Sequence, residues 1–396
     1  MIWNRLVGIH FWAAWFFLFF AFAKGLAQTS DSAMAAKQAK KEVRKNMMHD
    51  TLDGRLDFSS LFIDAKGFIP LPFIVTEPAL GGFGAAVAPM FLTPKKLPGY
   101  KGYIPPDITA GFGMYTVNGS WAAGALRIGS IPKAGIKYRA GFAAIDLNLT
   151  FYRDIPQEGE KEFEFTISSL PITGSISKRI TKKDLYLGVQ YTYAKTKAKP
   201  RFEGDIPDFI SEEELDNVVA VFGTFLDWDK RNSVFTPDKG GRLHVQYNMS
   251  DAWTGSNFSF SQLSGSMNWF VPFQKNWISG LRFEAFQVFG EPPFYALPSL
   301  NMRGVPNIRF QGYTTMVLET EQRWDLNMRW SMVGFAGLGK ALQKTQSFGE
   351  ATTAWNLGTG FRYLMARAFN LRGGVDIAKG PGSWGWYIVF GHNWNR

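Results

Sequence analysis

Glu319, Glu321, Arg323 and Asp325 put four ionisable groups at every second position of one short stretch, while Met316, Leu318, Trp324, Leu326 and Met328 hold the other parity. A period of two sends the charges to one face of a strand and the apolar side chains to the opposite face. The chemistry of such a row is ionic lining, not catalysis. Four charges facing a dry core would each demand a partner, whereas a sheet with lipid on one face and water on the other wants this alternation. The histidines add no reactive set. His10, His49, His244 and His392 lack metal-ligand spacing, and His392, the one candidate base, shares its strand side with Ile388 and Phe390 and has no acid or nucleophile beside it. No enzymatic activity, cofactor or metal is expected.

The elements that must position these charges repeat the pattern. Leu243, Val245, Tyr247 and Met249 alternate with Arg242, His244, Gln246 and Asn248. Leu185, Leu187, Val189, Tyr191 and Tyr193 oppose Gly188, Gln190 and Thr192, and Leu371, Val375 and Ile377 oppose Arg372 and Asp376. The expected fold is all-β: a transmembrane antiparallel β-barrel. About fifteen strand-like stretches are visible, centred between residues 85 and 389. A single-chain barrel with both ends on one side needs an even number, so sixteen strands are expected, with the missing one between residues 60 and 106. The apolar stretch 67–76 contains Pro70 and Pro72 and reads as a lead-in or plug, because proline disfavours a central ladder position. Counting back from a periplasmic C-terminus, tight turns near Asn327, Arg367 and Lys182 fall inside. The links 197–215, 291–312, 341–353 and 378–383 fall outside, and the first of them carries Glu212, Glu213 and Glu214. Asn118-Gly119 is a strong tight-hairpin signal that the same parity places outside, against the trend.

Composition agrees. The chain is 16% aromatic and 19% charged, with 41 Gly and no Cys. No apolar run after residue 30 reaches the about 20 residues of a helical span. Trp384, Trp386, Tyr387 and Trp394 suit the two interfacial girdles, with packing inside a β-sandwich as the alternative. Arg5, the apolar run 11–23 and the small residues of Gly25-Leu26-Ala27 read as a signal peptide over 1–27; the rival is a short anchor helix. Residues 28–66 are expected to form a polar periplasmic extension, helix-compatible over 33–48, and residues 67–396 the outer-membrane barrel. The formal charge of +10 is spread along the chain without a Lys/Arg stripe that carries stacked aromatics. Nucleic acid is not an expected partner; anionic lipid headgroups or an electropositive lumen are.

Two segments are more specific. Asp229-Lys230-Arg231-Asn232 leads to Thr236-Pro237-Asp238-Lys239-Gly240, a turn in which opposite charges pair locally and Pro237 presets its φ; the plain reading is a solvated hairpin. Met302-Arg303-Gly304 and Arg309-Phe310-Gln311-Gly312-Tyr313 lie in a link longer than barrel closure requires, after Pro292 and Pro293.

Together these segments resemble the BamA/TamA outer-membrane family, also called the bacterial surface antigen family. The family turn looks like Asp229, Arg231, Pro237 and Gly240, with Asn232 in place of the usual second acid. The family's inward-folding loop tip looks like Arg303 and Gly304, and the inner-wall acids it leans on look like Glu321 and Asp376. Phe335-Ala336-Gly337-Leu338-Gly339 resembles a family strand but lacks its acid at Gly337, and the chain ends in Arg396 where an aromatic is usual. Gly67-Phe68-Ile69-Pro70 and Thr76-Glu77-Pro78-Ala79 resemble the subgroup without periplasmic POTRA domains. The resemblance implies a long extracellular loop folded into the lumen and an Arg303 latch to Glu321 or Asp376. It also implies insertion or translocation of polypeptides at the outer membrane, with lateral opening between the first and last strands, whose seam Gly81, Gly82 and Gly84 suggest. Implied partners are outer-membrane lipids, unfolded outer-membrane polypeptides, and a periplasmic partner or a second copy. A passive pore or structural barrel is the alternative function.

Overall fold

The structure is a computed structural model that describes residues 48–60, 67–93, 95, 107–155, 159–181, 184–203, 206–207 and 210–394. The signal-peptide reading and most of the extension therefore lie outside the described residues. Among those described, no helix is long and apolar enough to cross a membrane. The chain divides into a unit before Asp57 and a unit from Asp57 to Arg396. In the first, His49 bridges Leu56 and Gly54 N donates to Asp50 O.

The second unit is one antiparallel sheet of sixteen strands in sequence order. They are Gly67–Val75 (β1), Gly84–Thr93 (β2), Asp107–Thr116 (β3), Trp121–Ile131 (β4), Ile136–Ile155 (β5), Gly159–Arg179 (β6), Leu185–Pro200 (β7) and Asp216–Asp229 (β8). There follow Gly240–Ser250 (β9), Phe260–Gln274 (β10), Trp277–Gly290 (β11), Thr314–Asp325 (β12), Trp330–Leu342 (β13), Thr353–Ala366 (β14), Leu371–Gly380 (β15) and Ser383–Phe390 (β16). The sheet curls into a nearly closed barrel. Among the described residues no ladder joins β1 to β16; the ring of Phe73 meets that of Phe390 edge-on at 5.8 Å across the gap.

The missing sixteenth strand is β1, so the segment with Pro70 and Pro72 is neither lead-in nor plug. It pairs with β2 along its whole length, from Gly67 opposite Leu92 to Val75 opposite Gly84. An end strand needs its donors on one side only, which is where proline is tolerated. With β1 counted, the chain alternates between a turn rim, which holds the links before β5, β7, β9, β11, β13 and β15, and a loop rim. Asn118-Gly119 falls on the loop rim, as the parity required.

The inner wall is drier than an ionic water channel. Met316, Leu318 and Trp324 of β12 face outward and are exposed, while Thr315, Val317, Glu319, Glu321 and Arg323 are buried. Two features close the rims of the barrel. β5 and β6, at 20 and 21 residues, are about twice the 9–11 a membrane crossing uses, and they extend past the loop rim. There Phe151, Phe165, Ile167, Ala198 and Ile210 close on Phe294 of the β11–β12 loop to make a separate apolar core. At the turn rim, the stretch ahead of β1 is tied to the turns β12–β13 and β14–β15. Phe58 N donates to Met365 O, and Asp57 Oδ2 meets Arg329 Nη1 at 2.7 Å and accepts from Arg367 N.

Burial alone raises the Asp57 carboxyl, but hydrogen bonds from Ser59 and Arg329 outweigh it and hold the group below its usual range. A depressed folded value means that the contact contributes fully above the unfolded value of about 3.9 and is lost as pH falls through the folded one. Asp57→Asn should therefore flatten the stability profile below about pH 4. An unfolding titration in detergent across pH 2–5 checks this, and a profile identical to the parent refutes it.

Candidate functional site

The loop between β11 and β12 folds back on itself as two arms. Leu300 N donates to Phe310 O, Gly312 N donates to Pro298 O, and Ser299 bridges Gln311. Its tip is the turn Met302–Val305, and Gly304 there has φ +81°. A Cβ on Gly304 would lie 2.8 Å from the backbone carbon of Lys379, so only glycine lets the tip approach β15 this closely. Tyr387 Oη accepts from Gly304 N at 2.8 Å, and Ser383 Oγ donates to Gly304 O at 2.6 Å. The tip is thus bonded to β16 as well as laid on β15.

Arg303 is 2% exposed and carries the main contact of the tip. Its Nη1 donates to Asp376 Oδ2 at 2.6 Å, and its guanidinium sits 3.4 Å over the ring of Phe335. Glu321 Oε2 lies 2.8 Å from the same nitrogen, but its geometry is that of a charge contact without a hydrogen bond. Asp376, fully buried, is therefore the principal partner. It also accepts hydrogen bonds from Nη1 and Nη2 of Arg362, at 2.5 and 2.9 Å. The structure thus brings together Arg303, Gly304, Glu321 and Asp376.

Sequence reading missed the second layer. Asn356 Nδ2 donates to Arg303 O and to Glu319 Oε1, and Arg282 spans Asn301 O, Glu284 and Glu319. The signal was present in the alternation, since Glu319 occupies the same row as Glu321. Its partner lies on another strand. Gly337, where the resemblance led one to expect an acid, has a plain role: a Cβ there would lie 2.4 Å from Glu319 Cγ. Glu319 fills from β12 the space that β13 leaves empty.

The β8–β9 turn is a second constellation, and it is not a solvated hairpin. Asp229 takes Arg231 in a two-pronged contact at 2.9 and 2.7 Å. Asn232 Oδ1 accepts from the backbone N–H of Asp238 and Lys239, so an uncharged amide suffices to close the turn. Thr236 and Pro237 are buried. Arg323 of β12 reaches Pro237 O and Asp238, and Asn370 of the β14–β15 turn donates to Thr236 O. A Cβ on Gly240, at φ +95°, would strike Lys230 O. The turn folds across the turn rim toward the far wall.

His392 meets this turn and Trp394 packs behind it, which corrects the placement of His392 beside Ile388 and Phe390 and of Trp394 in an interfacial girdle. β16 ends at Phe390, and Gly391, at φ +81°, turns the chain inward. His392 N then donates to Phe235 O, and its Nε2 lies 2.9 Å from Arg231 Nη1. Trp394 packs on Phe270 and Ile278, whereas Trp384 and Trp386 do face outward. Gly81 and Gly82 lie in the link between β1 and β2, and Gly84 opens β2 opposite Val75, so none of the three lies between β1 and β16. The first two shape the hairpin turn, and Gly84 leaves room for Thr116.

At the loop rim, Glu214 accepts from Phe294 N, and Tyr295 donates to Asn217 Oδ1. Burial pushes the Tyr295 phenol up to about 12, so the donor proton stays in place. Beside the arms of the loop a cavity of about 500 Å³ remains, lined by Arg139, Gln190, Asp227, Arg242, His244 and Glu284 among others.

Residues 136–291 match the model of the Omp85 superfamily domain, a stretch that contains the β8–β9 turn and stops short of Arg303. No curated protein matches the chain. Among solved structures, CdiB from Escherichia coli is similar with a TM-score of 0.59 at 13% identity, over 81% of this chain and 62% of that one. BamA from Haemophilus ducreyi lacking POTRA domains 1–3 gives 0.56 at 11% identity, over 82% and 69%. CdiB from Acinetobacter baumannii gives 0.55 at 9% identity, over 82% and 60%. The chain thus spans about three fifths of both CdiB chains and somewhat more of the BamA chain. These likenesses share the barrel, and with the matched stretch they identify the chain as a sixteen-stranded barrel that is similar over residues 136–291 to the Omp85 superfamily domain and folds like BamA and CdiB.

Proposed function

We propose that this barrel inserts or translocates polypeptides at the bacterial outer membrane, and that it does so by parting β1 from β16. One observation carries the reading: the loop tip with Arg303 and Gly304 is docked on β15 and β16, the two strands next to the only unladdered boundary among the described residues. In this reading the loop occupies the lumen as a latch. It holds the last strands rigid from within, while the gap beside them costs no ladder hydrogen bonds to open. Clients are unfolded outer-membrane polypeptides, delivered by a periplasmic partner or taken directly from the membrane surface.

The absence of native thiols makes the seam testable. The rings of Phe73 and Phe390 already touch, so the thiols of Phe73→Cys with Phe390→Cys should be bridged across the gap on oxidation with a short dithiol, which spans the space the rings leave. Insertion of a purified β-barrel client into vesicles should fall at least about tenfold when oxidised and recover on reduction. Full activity in the oxidised state removes seam opening, and inactivity of the unmodified protein with several clients removes insertion itself. A passive pore is the second reading, favoured by the cavity of about 500 Å³ beside the loop. It expects the lock to change nothing.

A further inference from the structure

The two strands that flank the gap are chemically unequal. Val117 N donates to Phe83 O, so the odd residues of β2 bond to β3 and its even residues bond to β1. Through the β1–β2 register this directs the odd residues of β1 to β2 and turns the backbone groups of Phe68, Pro70, Pro72 and Ile74 to the gap. On the other flank, Gly391 N donates to Arg372 O. The odd residues of β16 therefore bond to β15, and Trp384, Trp386, Ile388 and Phe390 turn their backbone groups to the gap. Proline has no N–H. β1 presents donors only at Phe68 and Ile74, with two successive blanks between them, whereas β16 presents a donor at every gap-facing position.

The strands are also staggered. The contact between Phe73 and Phe390 lies near the loop-rim end of β1 and the turn-rim end of β16. Above it β1 stops at Val75, while β16 continues up to Ser383. Among the described residues the edge at Trp384 and Trp386 is therefore unpaired, and it is complete in donors and acceptors. The stretch of β1 that β16 leaves uncovered is the one that holds the prolines. A complete bare edge is a template for strand addition, and a proline-bearing edge is protected against it.

We propose that β16, and not β1, is the edge at which this barrel receives a polypeptide. The incoming segment lies extended and antiparallel to β16 and exchanges backbone hydrogen bonds with Trp384, Trp386 and Ile388. Because Trp384 and Trp386 face outward, the segment must itself alternate apolar and polar residues, as a membrane strand does. The inference rests on the polypeptide-handling reading and names the surface within it.

The test uses the full chain in lipid vesicles with one cysteine, either Trp386→Cys on β16 or Phe68→Cys on β1. The probe is a synthetic nonapeptide of alternating valine and threonine with a central cysteine, oxidised in place and read by mass spectrometry. Adduct at Trp386→Cys should exceed that at Phe68→Cys about tenfold, as two missing hydrogen bonds would give. A peptide with proline at alternate positions should lose the adduct, and Pro70→Val with Pro72→Val should raise trapping at Phe68→Cys. Equal or greater trapping on β1 overturns the choice of β16 and leaves polypeptide handling standing. Equal capture of the proline peptide, or no adduct at either strand, overturns strand pairing at this gap.

Discussion

Asp376→Ala is expected to destabilise the barrel by about 3–5 kcal/mol, the range for removing one partner from a buried ion pair. Asp376 is fully buried and joins two guanidiniums, accepting two hydrogen bonds from Arg362 and one from Arg303. Removing it strands both cations in a site that already leaves Arg303 Nε and Nη2 without partners. Glu321 cannot take over, since it meets Arg303 as a charge contact alone. Arg303→Met should cost less, because Asp376 keeps Arg362. The double variant Arg303→Met with Asp376→Ala should show coupling of about 1–3 kcal/mol between the two sites. Denaturant unfolding in vesicles, followed by tryptophan fluorescence, gives these values, and protease nicking near residue 303 reports release of the tip. A loss below about 1 kcal/mol for Asp376→Ala would show that the pair contributes nothing beyond an exposed one.

Phe294→Ala should open the loop rim. The Phe294 ring lies 4.8 Å from Phe151 and 5.0 Å from Phe165, and it is the loop's main contribution to the cap core. Truncating a buried phenylalanine costs about 3–5 kcal/mol, more than a local cap of this size can spare. Backbone hydrogen exchange over 210–215 and 291–297 should accelerate by at least about a hundredfold, while β12 to β15 keep their protection. In planar bilayers the parent should flicker rarely, and Phe294→Ala should hold a stable open level through the cavity beside Arg139 and Arg242. A stable open level in the parent would favour the passive pore, and unchanged exchange in the variant would show that the cap does not depend on Phe294.

The alternating rows were legible because a two-residue period is a local property. Glu319, Glu321 and Arg323 are buried on the face that the pattern assigned, and Met316, Leu318 and Trp324 stand on the other. The strand count was legible by parity, since an up-and-down barrel with both ends on one rim requires an even number. The misreadings share one cause. Whether Pro70 and Pro72 forbid a strand depends on which neighbour their missing donors would have faced, and that neighbour is set only when β2 pairs. Whether His392 faces lipid depends on one bend at Gly391, after the period-two rule has stopped applying.

Residue order by itself determined the two-faced strands, their even number, the turn chemistry around Pro237 and Gly240, and the arginine at a loop tip. Tertiary structure alone decided which charges met. Arg303 reaches Asp376 across 73 positions of chain, and Arg323 reaches Asp238 across 85. Such pairs are fixed by the curl of the sheet, which brings distant strands to one interior. Period and propensity report only what a residue prefers beside its own neighbours.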